Sequence, residues 1–118
     1  MPKILIVDDE AVCTLFLSMA LSEEGFDVKM ATSADEAIQV GKEFKPNLLI
    51  TDWMLKDSKD GMQVTRHLTD AIPDLRVIFI TGMARDIIRS KLGDTKCDGI
   101  IIKPVDLDEM LGLVRQLV

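Results

Sequence analysis

The segment KILIVDDE (residues 3–10) places four consecutive apolar residues directly before three consecutive carboxylates. Three further runs are apolar without alternation: LLI at 48–50, VIFI at 77–80 and GIII at 99–102. Unbroken apolar runs of this length are typical of parallel strands that are covered on both faces. The run FDVKM at 26–30 alternates apolar and polar residues instead, which predicts a half-exposed strand at a sheet edge.

Segments with helical periodicity separate these runs. The first has apolar residues at the spacing i, i+3, i+4, i+7, which predicts that one helix face packs on the core: Val12, Leu15, Phe16 and Met19. Gly25 then lies where a helix C-terminal cap belongs. The other helices are predicted to begin at the capping box SADE (33–36), near Gly61, near Ala84 and at Asp106, with the third ending before Pro73.

The element order is therefore βαβαβαβαβα, which predicts an α/β fold. Short connections between alternating strands and helices imply parallel strands, right-handed crossovers and helices on both faces of the sheet. We therefore predict a doubly wound sheet, whose ligand site lies at the carboxyl ends of the strands. With 118 residues and no repeat or linker, the chain is predicted to be a single domain over residues 1–118.

The composition limits the class of function. A formal net charge of −6 argues against non-specific contact with nucleic acid or anionic lipid. The first apolar run is too short for a signal peptide or a membrane span. Cys13 and Cys97 lack metal-ligand spacing, so reduced free thiols are expected. We therefore expect a cytoplasmic protein that contacts neither membrane nor nucleic acid directly.

Four of the five predicted strands end in residues capable of chemistry: Asp8 and Asp9, Asp52, Thr81, and Lys103. Taken singly, each has a purely structural explanation. Thr81 suits a strand or a helix N-cap, Lys103 suits a solvated turn, and the aspartates suit caps. Their coincidence at the edge where a doubly wound sheet binds its ligands predicts a functional site.

The chemistry of these residue types narrows the ligand. Carboxylates that converge at one edge repel each other, so either one takes up a proton or a cation joins them. Oxygen ligands without His or Cys favour a hard divalent ion such as Mg²⁺. A carboxylate beside such an ion, a hydroxyl and an ammonium suits a phosphoryl group that the carboxylate attacks in line. The sequence contains no glycine-rich phosphate loop, which argues against nucleotide binding.

Five short motifs together resemble the receiver domain of two-component response regulators, over the whole chain: VDDE (7–10), ITDWML (50–55), DG (60–61), TG (81–82) and KP (103–104). The resemblance implies a flavodoxin-like (βα)5 sandwich with strand order 2-1-3-4-5. It also implies a phosphorylation-dependent signalling switch that changes partner binding, rather than an enzyme that turns over an external substrate. Such a receiver catalyses only its own phosphorylation and dephosphorylation.

The resemblance also assigns roles to individual residues. Asp52 would accept the phosphoryl group from a phosphohistidine of a sensor histidine kinase or a histidine phosphotransfer protein. Thr81 would be the switch hydroxyl, and Lys103 would form a salt bridge to the phosphoryl group. Glu10 is expected only to supply a favourable charge at the start of the first helix. Mg²⁺, with Mn²⁺ as an alternative, would be held by four residues: Asp8, Asp9, Asp52 and Met54 through its backbone carbonyl.

Some positions depart from the usual receiver pattern. Ile100 stands where most members have an aromatic residue three positions before the lysine, so an aromatic switch residue is absent. Lys56 replaces a usual proline in the loop after the acceptor, which also carries Asp57 and Lys59 and is expected to be solvated. The Lys103–Pro104 bond is expected to be cis, as is common in the family.

The first helix carries a second apolar stripe, at Cys13, Leu17 and Leu21. Receivers of this kind dock the helices of their phosphodonor beside helix one, which has an exposed side in the fold. We therefore expect Cys13 and Leu17 to belong to the docking surface. Simple core packing of the stripe is the alternative.

Two other functions fit parts of the pattern. A phosphohydrolase of the haloacid-dehalogenase type also uses Asp, Thr, Lys and Mg²⁺ on a similar sheet. That class requires a DxD motif after the first strand, whereas this chain has Asp8-Asp9-Glu10, and 118 residues leave no room for a cap domain. An inactive pseudo-receiver is disfavoured because all five key residues are present. A start at methionine and a complete fifth helical pattern favour a stand-alone receiver.

Overall fold

The computed structural model describes residues 1–55 and 60–118, and within them five strands alternate with five helices. The strands are β1 (Lys3–Val7), β2 (Asp27–Ala31), β3 (Leu48–Asp52), β4 (Arg76–Thr81) and β5 (Gly99–Ile102). The helices are α1 (Ala11–Glu23), α2 (Ala34–Phe44), α3 (Gly61–Ala71), α4 (Arg85–Leu92) and α5 (Leu107–Leu117). None of these described helices combines the length and apolar character needed to cross a bilayer.

All five strands lie parallel in one sheet of order β2-β1-β3-β4-β5, which confirms the predicted doubly wound topology. Ile6 of β1 is in register with Met30 of β2 on one side and with Ile50 of β3 on the other. The alternating segment forms the edge strand β2, whose Met30 is 42% exposed. The continuously apolar runs form the covered strands, because each must pack helices on both faces.

The helices form one layer on each face of the sheet. α1 and α5 cover one face, where Leu17 and Val114 pack on strand residues such as Ile50. α2, α3 and α4 cover the other face, where Ala37 and Leu68 belong to a second core cluster. With both faces covered by the described helices, the ends of the strands are where the sheet can present side chains to a ligand.

The predicted helix ends are confirmed in their caps. Gly25 has φ of 92°, and α1 ends in a Schellman motif, since Gly25 N–H and Phe26 N–H donate to the carbonyls of Ser22 and Leu21. Ser33 accepts from Glu36 N–H at the start of α2. The Glu36 carboxylate reaches Thr32 N–H, one residue earlier than in a regular capping box.

The predicted core face of α1 is wrong. The four residues of that face are all exposed: Val12 by 81%, Leu15 by 52%, Phe16 by 52% and Met19 by 57%. We call these four residues the α1 apolar patch. The helix instead buries Thr14, Leu17 and Leu21 against the sheet. Leu17 is fully buried, so its predicted role as a docking residue is wrong as well.

The error has a simple physical origin. α1 carries apolar residues on nearly all sides, so two different stripes satisfy the helical period. Periodicity shows which residues share a face but not which of two apolar faces turns inward. The structure leaves the face with the larger side chains in solvent, and exposed apolar patches of this kind commonly mark interaction sites.

Two matched leucine substitutions test the observed orientation of α1. Leu17→Ala is expected to lower the free energy of unfolding by about 2–5 kcal/mol, because it leaves a cavity in the core. Leu15→Ala, the same change in the same helix, is expected to shift it by no more than about 0.5 kcal/mol. Urea unfolding measures both. A larger loss for Leu15→Ala would mean that α1 is rotated relative to this structure.

Candidate functional site

The carboxyl ends of β1, β3 and β5 bring two aspartates and a lysine into direct contact. Asp8 follows β1, Asp52 ends the neighbouring strand β3, and Lys103 follows β5. The Lys103 Nζ lies 2.9 Å from Asp52 Oδ2 and 3.2 Å from Asp8 Oδ2. Asp8 and Asp52 are both buried, at 1% and 8% exposure. The sequence-predicted convergence of these three residues is therefore present.

The ammonium of Lys103 is the cation that offsets the repulsion between the two aspartates. Burial by itself lowers the pKa of Lys103, but the hydrogen bonds and charges of Asp52 and Asp8 outweigh it and raise this pKa above its ordinary value. Lys103 therefore stays charged at neutral pH. At this position the Lys103 ammonium can exchange its contact with a carboxylate for a contact with an anion that binds beside Asp52.

The carboxylate of Asp52 sits in a partly dry environment with defined partners. Burial raises the pKa of Asp52 above its ordinary value, and this is opposed mainly by the hydrogen bond and charge of Lys103. Oδ1 accepts a long hydrogen bond from Met54 N–H at 3.4 Å, while Oδ2 faces Lys103. Limited hydration leaves the carboxylate oxygens available as a nucleophile or as metal ligands.

Asp8, Asp9 and Glu10 place carboxylate oxygens within 4.8 Å of one another, an arrangement that could hold a metal ion. Asp8 Oδ1 accepts a hydrogen bond from Glu10 N–H at 2.9 Å, which fixes the buried carboxylate. Asp9 makes no ion pair or hydrogen bond with any residue the structure describes, so its carboxylate is free to bind an ion. An all-oxygen donor set of this kind fits Mg²⁺ or Mn²⁺.

Thr81 ends β4, which lies beside β3 in the sheet, and is 2% exposed. Its hydroxyl oxygen accepts a hydrogen bond from Met83 N–H at 3.0 Å. Its carbonyl accepts from Lys103 N–H at 2.7 Å, which joins the ends of β4 and β5. The hydroxyl proton remains available to a phosphoryl oxygen.

Gly61 and Thr51 support the backbone of Asp52, a role that the sequence reasoning did not identify. A Cβ on Gly61 would lie 2.1 Å from the Asp52 carbonyl oxygen, so only glycine allows this approach. The Thr51 hydroxyl donates to the same carbonyl at 3.0 Å. The DG motif was the only sequence signal for Gly61, and none existed for the Thr51 hydroxyl.

Cys13 lies beside the site and lines the same groove as Phe16 and Lys103, so its predicted place on the docking surface stays a prediction. Burial, followed by the neighbouring carboxylate of Asp8, raises the pKa of the Cys13 thiol to about 12. Cys13 is half-buried rather than exposed on the outer face of α1. Sequence periodicity gave no signal that Cys13 lies near Asp8, because this proximity depends on the rotation of α1.

Three further sequence features of the site region are the Lys103–Pro104 bond, Ile100 and the loop after Asp52. The Lys103–Pro104 peptide bond is cis, as expected. Ile100 is buried at 3% exposure, and Trp53 packs edge-on against Phe79 with ring centroids 5.2 Å apart. The predicted solvation of the loop at Lys56, Asp57 and Lys59 lies outside the described residues.

Comparison with known proteins places this geometry among receivers. A family model described as "Response regulator receiver domain" matches residues 4–115. The transcriptional regulatory protein TrcR of Mycobacterium tuberculosis is 34% identical over 117 residues, which cover 98% of this chain and 44% of TrcR. The DNA-binding dual master transcriptional regulator RpaA of Synechocystis is 30% identical over 119 residues, covering 99% of this chain and 49% of RpaA.

The chain thus spans about half the length of the curated relatives it matches. RpaA is a DNA-binding regulator by name, so the comparisons do not support the expectation that nucleic-acid binding is absent. Among solved structures, a CheY-like response regulator receiver domain protein from Methanospirillum hungatei matches with a TM-score of 0.90 and 25% identity. That match covers 98% of this chain and 92% of the other.

Proposed function

The chain belongs to the response regulator receiver family of two-component signalling, and from that premise we propose that Asp52 is its phosphoryl acceptor. The observation that carries this proposal is the contact of Lys103 Nζ with Asp52 Oδ2 and Asp8 Oδ2 at the strand ends. It puts a fixed positive charge beside a buried carboxylate. Receivers act as phosphorylation-dependent switches, and we extend this to Asp52 as the switched residue here.

Asp52 acts as the nucleophile. A carboxylate oxygen of Asp52 forms a bond to phosphorus while the P–N bond of the donor phosphohistidine breaks. The bonding electron pair leaves with the imidazole nitrogen, which takes up a proton. The product is an aspartyl phosphate on a residue that is 8% exposed, so reaction and hydrolysis both take place at a nearly enclosed carboxyl group.

Lys103 and Thr81 hold the transferred group. The Lys103 ammonium already contacts Asp52 and would bind a phosphoryl oxygen as a compact point charge on a flexible stem. The Thr81 hydroxyl would donate its proton to a second phosphoryl oxygen. Turning toward the phosphoryl group would break its present hydrogen bond with Met83 N–H. Phosphorylation would thereby change the backbone hydrogen bonding of the segment that follows β4.

The metal site would be formed by the carboxylates of Asp8, Asp9 and Asp52 and the backbone carbonyl of Met54. Their all-oxygen chemistry supports Mg²⁺, with Mn²⁺ as the alternative. When bound, the ion supplies positive charge that neutralises phosphoryl oxygens. The Asp8 carboxylate accepts hydrogen bonds from Glu10 N–H and from Lys103 Nζ. The Asp9 carboxylate makes no hydrogen bond or ion pair with the residues that the structure describes. Asp9 is therefore the direct ligand that a substitution should test first.

Intact mass measurement after incubation with acetyl phosphate tests this function. We expect the protein to gain a single phosphate in the presence of Mg²⁺ and none when the ion is chelated. A phosphate gained equally well in chelator would contradict the metal assignment. No gain under either condition would contradict the receiver chemistry of this chain.

Receivers interact with histidine kinases, and we assign the docking surface for the phosphodonor to the α1 apolar patch. The patch is exposed and borders a groove that is lined by Phe16, Lys103 and Val105, so it is continuous with the acceptor site. A helix of the phosphodonor lying on it would bury the four exposed apolar side chains of the patch. The buried Leu17 supports this surface from beneath.

Phe16→Glu is the matching test of the docking surface. Phosphotransfer from a histidine phosphotransfer protein that loads the wild type is expected to slow at least about tenfold, since a charge replaces a desolvated aromatic contact. Phosphorylation by acetyl phosphate should not change, because the small donor needs no docking surface. Gln39→Glu, at an exposed position of α2, is the control. Equal phosphotransfer rates in Phe16→Glu and wild type would exclude the patch.

We place the protein in the cytoplasm and treat it as a switch rather than a turnover enzyme. Support for the location is the family, whose donors are histidine kinases. Support against turnover is the nearly enclosed acceptor, which receives the phosphoryl group on the protein itself. RpaA is DNA-binding by name, and this chain covers about half of it. We therefore assign DNA-linked output to longer regulators that contain a receiver of this kind.

A further inference from the structure

Arg85, the first residue of α4, contacts two other elements at once. Its Nη1 donates a hydrogen bond to the main-chain carbonyl of Ile100 in β5 at 2.5 Å. Its Nη2 lies 3.8 Å from Glu109 Oε1 in the first turn of α5. α4 and α5 lie on opposite faces of the sheet, and β5 is an edge strand. The guanidinium therefore ties the two helical layers together around the β5 edge.

The segment that leads into Arg85 begins at Thr81. Only three residues separate the two, and the first bond of this segment is the one from Met83 N–H to the Thr81 hydroxyl oxygen. The carbonyl of Ala84 accepts from Ile87 N–H and Ile88 N–H, so α4 starts directly behind the segment. If the Thr81 hydroxyl turns away, Met83 N–H loses its acceptor and the entry to α4 rearranges.

We infer that Arg85 is a positioning residue that couples the phosphorylation state of Asp52 to α5. This inference rests on the proposed function of Asp52 and Thr81. In the unphosphorylated chain Arg85 holds Ile100 and Glu109, as observed. When a phosphoryl group on Asp52 draws the Thr81 hydroxyl, the entry to α4 shifts and the guanidinium leaves both partners. The first turn of α5 is then released from α4.

The residue types at these positions suit contacts that form in one state and break in the other. Ile100 is buried at 3% exposure and carries no ring or polar group, so its side chain cannot make a polar contact with α4 that forms in one state and breaks in the other. The planar fork of arginine binds two acceptors at once, which lysine cannot do in the same geometry. The side chains of Arg85 and Glu109 are 47% and 50% exposed, so solvent competes for both and the contacts can be broken.

Phosphorylation kinetics test the coupling through the population of the two conformations. If the contacts of Arg85 with Ile100 and Glu109 exist only in the unphosphorylated conformation, their removal raises the population of the other conformation, and phosphate uptake by that conformation rises in proportion. Arg85→Ala is expected to take up phosphate from acetyl phosphate and Mg²⁺ about fivefold faster than wild type, the lower end of typical coupling. Arg85→Lys and Glu109→Gln should show smaller increases. Arg89→Ala, one turn further along the same groove, should match wild type.

A residue with only a structural role would lower stability without accelerating phosphate uptake, so an unchanged or slower rate in folded Arg85→Ala and Arg85→Lys would overturn the inference. The ¹³C chemical shift of the Ile100 carbonyl reports the contact directly. Phosphorylated wild type should move to the position of Arg85→Ala, and an unmoved resonance would again overturn it. A wild type that takes up no phosphate would instead overturn the proposed function, and the coupling with it.

Discussion

Phosphate uptake is expected to be lost when Asp52 is replaced by asparagine. Asp52→Asn keeps the size of the side chain and an oxygen for Met54 N–H, but it removes the anionic nucleophile. The rate of phosphate incorporation from acetyl phosphate and Mg²⁺ should fall at least about 100-fold, as for removal of a reacting group. Intact mass against time measures the rate.

The control for Asp52→Asn is Asp74→Asn. Asp74 is exposed and precedes β4, at the end of the sheet opposite the site. The same chemical change there should leave the rate of phosphate uptake unaltered. Circular dichroism checks that both variants are folded. Phosphate that persists in Asp52→Asn at the wild-type rate would show that another residue is the acceptor.

Asp9→Asn is expected to abolish most of the affinity for Mg²⁺. Asp9 has no partner among the described residues, so its carboxylate is available to the ion, and its loss should weaken binding at least about 10-fold, the lower end of the cost of losing even an outer partner of a metal ligand. Trp53 is 4% exposed and directly follows Asp52, so its fluorescence should report the titration. At limiting Mg²⁺, phosphorylation of the variant should slow in parallel.

Glu10→Gln separates the roles within the acidic run. Glu10 belongs to the same cluster of three carboxylates as Asp8 and Asp9. Its side chain is 69% exposed, however, and its Oε1 lies 4.0 Å from Lys103 Nζ. We expect this variant to bind Mg²⁺ nearly as tightly as wild type. If Glu10→Gln loses as much affinity as Asp9→Asn, Glu10 is a metal ligand and its assignment as a helix-start charge is wrong.

The sequence predicted the sheet and the convergence of the strand-end residues, and the reason is geometric. Parallel strands end at one edge, so residues that directly follow apolar runs must meet there. Asp8, Asp52 and Lys103 needed no knowledge of side-chain packing to be placed together. Their mutual contact distances confirm that expectation.

The rotation of α1 and the long-range contacts around the site could not be read from the pattern. α1 has two apolar stripes, and burial of Leu17 rather than Phe16 is decided by the packing of the whole layer. The proximity of Cys13 to Asp8 follows from that rotation. Arg85 reaches Ile100 through a long flexible side chain, 15 positions away, which no local period encodes.

Chemical location of the phosphoryl group tests the central claim most directly. Borohydride reduces an aspartyl phosphate to homoserine, and peptide mass spectrometry then identifies the reduced position. After treatment with acetyl phosphate and Mg²⁺, the wild type should carry homoserine at position 52 and nowhere else, and the chelated control should carry none. Homoserine at Asp8 or Asp9, or its absence from a protein that has gained phosphate, would contradict the account.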